Sequence, residues 1–131
     1  MKEKIFKAKR KNWRELPKEN QWVYGAIFEG KENSYIITNV KVTDEWEDSE
    51  IGADVIGCLV DAETICEPTG MTDKKGNKIY EHDTIKGIYS DQLGEPHSFE
   101  IKNLDILDYA TLNMINYSNE CEVCGNMFDN D

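Results

Sequence analysis

The chain lacks any long apolar run. A membrane-spanning helix needs roughly 18 or more consecutive apolar residues, and the longest apolar stretch here is Val55-Ile56-Gly57-Cys58-Leu59-Val60. The opening MKEKIFKAKRKNWRE is basic and has neither an apolar centre nor a small-residue cleavage site, so it does not read as a secretory signal. The expected location is the cytoplasm, where the four cysteines (Cys58, Cys66, Cys121 and Cys124) should be reduced thiols. Neither GxxxxGK[ST] nor GxGxxG occurs, which removes the common phosphate-cradling loops. Positive charge is also short. Fifteen Lys and Arg face 26 Asp and Glu, giving a net charge of -11 and a pI near 4.6. Self-repulsion with phosphate argues against a protein that coats a polyanion.

What is present suits a folded domain. The 131 residues are 39% hydrophobic and 10% aromatic, and mean hydropathy is -0.66. A chain of this size buries roughly two thirds of its unfolded surface and needs no disulfide or metal to fold. It suits one domain, or at most two small ones. Charge is unevenly placed. Residues 1–18 hold eight bases and two acids, a local net of +6, against -17 for the rest. Acidity gathers again in Asp44, Glu45, Glu47, Asp48, Glu50 and Asp54. Such stretches are usually solvated and attract each other; the sharper reading is that one of them meets a charged partner.

Strand-like segments dominate. Residues 5–10 alternate Ile and Phe with Lys and Ala, as an opening strand does, and residues 12–20 read as a loop. Residues 21–29 (QWVYGAIFE) and 34–43 (SYIITNVKVT) flank Gly30-Lys31-Glu32-Asn33 and predict a hairpin. Residues 44–50 read as an acidic loop centred on Trp46, and residues 51–60 as a buried strand or short helix. Gly76 is expected to supply a positive φ in the turn at 73–77. Residues 83–89 predict a strand, 91–96 a turn, 98–101 a strand, and 120–128 a last strand. Residues 102–117 mix helical spacing (Leu104, Leu107, Ala110; Leu107, Thr111, Met114) with strand-favouring Tyr109, Thr111, Ile115 and Tyr117. The expected class is mainly β (α+β), a small barrel or sandwich-like fold with one or two short helices. It is read as one domain over 1–131, divisible into an N-terminal β part (1–62) and a barrel part (63–131).

Few constellations carry chemistry. A CxxC pair, Cys121-Glu122-Val123-Cys124, is the type that holds zinc or exchanges disulfides. Zinc needs two further ligands, yet seven residues separate Cys58 from Cys66, and His82 or His97 would have to contribute. On a strand, Cys121 and Cys124 face opposite sides, so the expectation is ordinary cysteines, with no metal and no cofactor. Neither histidine lies in a nucleophile pattern. His82 beside Asp83 suggests a base and its orienter, though a surface histidine next to an acid is far commoner. The acidic stretch at 44–54 lacks the EF-hand order of ligands and its central glycine. Trp13, Trp22, Tyr24 and Phe28 lie near the basic segment, and aromatics interleaved with Lys and Arg can stack bases. At strand spacing Trp22, Tyr24 and Phe28 share one face, which is expected to be core or half-core rather than a nucleic-acid platform.

Two segments carry a family resemblance. TGMTDKKGNKIYEHDTIK, residues 69–86, resembles TGLxDKNGKxIYEGDIVK of the YopX family of phage and prophage proteins. The ending, EVCGNMFDN at 122–130, is similar to EVIGNIYENP. IFKAKR at 5–10 and WVYG at 22–25 resemble the family's IKFRGKR and WVYG. These matches run in order along nearly the whole chain. The resemblance implies a phage-derived protein of a bacterial host cell, with a β-rich fold that includes a small barrel. It implies no catalytic residue. His82 stands where the family has Gly, and must take a positive φ if the turn is kept. Cys124 stands where the family has Ile. Within the motif, Asp73 to Asn77 are expected to build a polar turn, Ile79 and Tyr80 to anchor it, and Asp83 to cap it through backbone N–H groups.

The expectation is therefore a non-enzymatic phage accessory protein that acts through protein–protein contact, without membrane association and compatible with a homo-oligomer. Its expected contact patch is Asp44, Glu45, Trp46, Glu47 and Asp48, where charge steers the encounter and an aromatic anchors it. The alternative is a nucleic-acid-associated protein using Lys7, Lys9, Arg10 and Lys11, with weak binding at physiological salt.

Overall fold

Strands account for most of the architecture. The computed structural model describes residues 4–45 and 51–129, with side chains over 4–41 and 56–129. They form three antiparallel sheets, one α-helix and short 3-10 turns. The fold is thus mainly β, as composition and turn spacing indicate. The chain divides into two units, Met1–Ile65 and Cys66–Asp131.

The first unit is a four-stranded sheet in chain order: β1 (Phe6–Lys9), β2 (Trp22–Glu29), β3 (Ser34–Glu45) and β4 (Ile51–Val60). The predicted hairpin is present. Glu29 pairs with Ser34, and Gly30 N–H donates to Asn33 O at 2.8 Å to close the turn. Ala8, Val23, Ile36 and Val60 are buried together, with Ile27, Cys58 and Ile65 packed against them. β2 pairs first with β1 and then with β3, and Gly25 lies at the changeover. A Cβ there would sit 2.1 Å from Ile37 O, so only glycine lets the two backbones approach. The edge strands meet at one end of the sheet. Arg10 bridges Val60, Lys11 N–H donates to Leu59 O, and Asp61 N–H donates to Lys9 O. The segment expected as a loop at 12–20 holds two 3-10 turns, Trp13–Glu15 and Lys18–Asn20.

Three expectations change in this unit. Residues 51–60 form a strand and not a helix, and its described end is not buried throughout: Val60 is buried while Ile56 and Leu59 are exposed. Asp44 and Glu45, expected in a loop, end β3; Trp46, Glu47 and Asp48 lie outside the described residues. Of Trp22, Tyr24 and Phe28, expected as core or half-core, Trp22 is half-buried while Tyr24 and Phe28 are exposed. Val23 and Ile27 take the inner face with Ile36, so period-2 alternation turns positions 22, 24 and 28 outward.

The second unit has a two-stranded sheet, β5 (Pro68–Thr72) with β6 (Lys78–Tyr80), and a three-stranded sheet in the order β8-β7-β9. Here β7 is Asp83–Ser90, β8 is Pro96–Ile101 and β9 is Glu120–Asn126. Ile79, Ile85, Leu104, Ile115 and Cys121 form its core. Helix α1 (Tyr109–Asn116) resolves the ambiguous segment. Asp108 caps it, accepting from Thr111 N–H at 3.2 Å and from the Thr111 hydroxyl at 2.7 Å. Helix packing needs only one buried stripe, and Ile115 supplies it; Tyr109 at the start and Tyr117 just past the end stay exposed.

Candidate contact surface

The motif at 69–86 is built as a turn with anchors. Asp73 Oδ1 accepts from Lys75 N–H at 2.9 Å and Asn77 N–H at 2.8 Å. Its Oδ2 accepts from Val123 N–H at 3.0 Å, tying the turn to β9. Burial opposes the Asp73 charge. The N–H groups of Val123 and Asn77, the Asn77 amide and the Lys75 N–H outweigh that cost and hold the carboxyl below its ordinary range. Gly76 takes a φ of 84°. Ile79 and Tyr80 are buried. Asp83, fully buried, accepts from Tyr80 N–H at 2.8 Å and from the Asn126 amide at 2.9 Å. All three expected roles in the motif (turn, anchor and cap) are filled.

His82 takes a φ of 70°, in the region where a side chain costs about 1–3 kcal/mol. Its surroundings hold it there. The backbone N–H donates to Leu104 O at 2.7 Å, and the carbonyl accepts from Met127 N–H at 3.0 Å. The ring Nδ1 lies 2.6 Å from Asn103 Oδ1, and the ring meets Phe128 edge-on at 5.5 Å. The suggested His82–Asp83 pair does not form: Asp83 is engaged with Tyr80 and Asn126, and the acid beside His82 is Glu81 at 3.9 Å. His97 bonds Asp91 at 2.8 Å in an exposed turn.

The cysteines are scattered. Cys121 is buried in the second core, and burial pushes its thiol up. Cys124 is exposed, at the step where the β7–β9 register shifts. Cys66 is buried beside the Asn126 amide, and Cys58 lies 3.2 Å from an Arg10 guanidinium nitrogen. Among the described residues no three His, Cys, Asp or Glu side chains gather as metal ligands do.

The basic segment folds into aromatic rings. Lys9 is only 1% exposed. Its ammonium lies 4.1 Å from the Trp13 ring centre and 5.1 Å from that of Trp22, and it donates to Gln21 Oε1 at 2.8 Å. Lys7 lies 4.5 Å from the Trp22 ring and the Arg14 guanidinium 4.2 Å from the Trp13 ring, so cations and indoles alternate in one stack. Trp13 Nε1–H donates to Asp61 at 3.2 Å, which clips the 12–20 segment onto the sheet. Arg10 donates to Asn20 O at 3.0 Å. Of the four candidate nucleic-acid residues, only Lys11 is exposed. A sequence pattern of bases and aromatics does not distinguish cations that project from cations that stack on their own tryptophans.

Apolar side chains are exposed on the first unit instead. Tyr24 is 53% and Phe28 57% exposed on β2, with Val40 on β3 and Ile56 and Leu59 on β4. Phe28 and Tyr35 rings lie 6.4 Å apart. A groove of about 420 Å³ runs beside them, lined by Ile5, Tyr24, Ala26, Ile37, Thr38 and Val40 among others. Val40, Ile56 and Leu59 were not singled out from the sequence. The available signal was the alternation along β2, which has apolar residues at odd and even positions alike. The expected patch at 44–48 continues this surface only through the backbone of Asp44 and Glu45. No protein-family model, no curated protein and no solved structure matches the chain.

Proposed function

We propose that this is a non-enzymatic phage or prophage accessory protein of the YopX type, acting in the host bacterial cytoplasm through contact with another protein. The observation that carries the reading is the exposed set Tyr24, Phe28, Val40 and Leu59 on the first unit. Contiguous exposed apolar surface on a charged domain marks an interaction site, and the acidic stretch that follows supplies steering charge. The phage origin rests on the sequence resemblance alone. The small barrel expected over 63–131 also rests on that resemblance, the described residues there forming a two-stranded and a three-stranded sheet. The nucleic-acid alternative loses weight with the burial of Lys9 and the stacking of Lys7. Affinity purification of the tagged chain from phage-infected cells, with and without nuclease, tests the reading. Partners that survive nuclease and are lost on Tyr24→Ala/Phe28→Ala are expected. Partners that all vanish with nuclease favour the alternative.

A further inference from the structure

Along β7 inward and outward residues alternate. Asp83 and Ile85 are buried, while Thr84 is half-buried and Lys86 exposed. Pairing sets Glu100 of β8 opposite Lys86 and Gly125 of β9 opposite Thr84. Lys102 and Asn103 follow directly on the end of β8. These six residues help to line an open cavity of about 480 Å³ on the outer side of the three-stranded sheet. Small-molecule sites span about 300–1,000 Å³.

Donors dominate the lining. The Lys86 ammonium lies 3.3 Å from one Glu100 carboxylate oxygen, and the Lys102 ammonium 3.5 Å from the other. Lys86, with Lys102 beside it, holds that carboxyl below its ordinary range. The two cations are therefore already spaced to share one carboxylate. An ammonium carries three donors, so Glu100 leaves most of them for another acceptor. Glu122, the acid opposite Lys86 on β9, is engaged by Lys75 at 2.7 Å. Asn103 Oδ1 faces His82 Nδ1 at 2.6 Å, which leaves the Asn103 amide N–H groups for a different partner. The Thr84 hydroxyl adds one more donor.

The backbone is unusual at the same place. Cys124 is an extra residue in the β7–β9 ladder, and bulges of this kind re-aim side chains beside sites. His82 and Asn103 are the two non-glycine residues with positive φ among the described residues, and they bond each other. Backbone in that region gathers at ligand clamps. A long polyanion is disfavoured, because the chain as a whole carries a net charge of -11. A compact anion meets only the local donors.

We propose that this cavity binds a small organic oxyanion, with Lys86 and Lys102 sharing its charge and Thr84 and Asn103 donating hydrogen bonds to it. Carboxylate and phosphate heads present the same acceptors to these donors. The inference concerns the second unit and is independent of the protein-contact reading.

Nuclear magnetic resonance titration of the isotope-labelled full chain with citrate, and separately with inorganic phosphate, tests it. Ionic strength is held constant with chloride, so general screening does not change. At least one probe should shift the amide signals of Thr84, Lys86, Lys102, Asn103 and Gly125 saturably, and the tighter of the two names the head group. Lys86→Gln/Lys102→Gln should weaken binding by about tenfold or more, with the melt unchanged. Glu100→Gln removes the competing carboxylate and should tighten binding several-fold. Asn103→Gly keeps the positive φ but deletes the amide, so binding should weaken without loss of stability. Absence of a saturable shift with either probe overturns the proposal. So does binding that the double lysine variant leaves intact, or a response spread evenly over the lysines of the whole chain.

Discussion

The two units are both antiparallel β structures of similar length, yet they dispose of polar and apolar groups in opposite ways. The second unit turns buried polar groups inward and satisfies them: Asp83 binds Tyr80 and Asn126, and Asp73 binds Lys75, Asn77 and Val123. The first unit buries a lysine between two tryptophans on the face away from its core and leaves Tyr24, Phe28 and Val40 exposed. A buried polar network specifies one arrangement because a missing partner leaves a costly orphan. Exposed aromatics contribute little to folding and much to binding. The contrast places the motif at 69–86 in the scaffold and leaves the apolar surface of the first unit as the place where the proposed contact would be made.

The largest effect should come from the second unit's network. Asp83→Ala orphans two buried donors, each worth about 1–3 kcal/mol, so a loss of roughly 3 kcal/mol is expected in urea melts. Tyr80→Ala, removing a ring that is buried, should cost about 3 kcal/mol. Wild-type melting of both variants with loss of partner capture would move the motif from scaffold to binding surface.

Backbone strain comes next, and it predicts unequal costs at two nearby positions. Gly76→Val places a β-branched residue at φ 84° and should destabilise by about 1–3 kcal/mol. His82→Gly relieves φ 70° but loses the contacts with Asn103 and Phe128. Its cost should be smaller than that of Gly76→Val, and a melt showing the reverse order would contradict the strain argument.

Acid should distinguish the units too. The Asp73 carboxyl is held below its ordinary value of 3.8 in the folded state. A depressed folded value means that its contribution is fully present above the unfolded value and is lost as pH falls through the folded one. Stability of the second unit should therefore drop below about pH 4, the ordinary carboxylate range, and Asp73→Asn should flatten that dependence. An unchanged acid profile in Asp73→Asn would remove Asp73 from the turn's energetics.

The smallest stability effects belong to exposed positions. Lys74→Ala and Lys75→Ala lose only surface pairs with Glu120 and Glu122, and the melting midpoint should not move. Tyr24→Ala/Phe28→Ala should also melt near wild type while losing partner capture. A large stability loss in that double variant would make the first unit's outer face a structural element.

Much of the fold was legible along the chain. The β2–β3 hairpin follows from two aromatic and β-branched runs around Gly30 to Asn33, and the turn at 73–77 from an Asp-led polar run with Gly76. The cap role of Asp83 was legible because it involves a residue three positions away. Helix α1 was not, since Tyr109 and Thr111 favour strands locally, and only Ile115 packing on Leu104 and Ile85 makes helix the better use of the segment. The candidate surface was the least legible part, because it depends on which face of β2 meets the core.

Local chemistry alone determined the turns, the mainly β class and the cap, since each depends on residues close in sequence. Tertiary structure alone decided which side of each strand is inside. Val23 wins the interior over Trp22 and Tyr24 because Ala8, Ile36 and Val60 converge on its side, and pairings across up to fifty positions do not show in a local pattern. Only the fold, likewise, brings Trp13 and Trp22 onto Lys9 and turns a basic segment that reads as a polyanion site into a cation–indole stack. The physical reason is the strand's period of two: one residue's change of register exchanges core for surface along the whole strand.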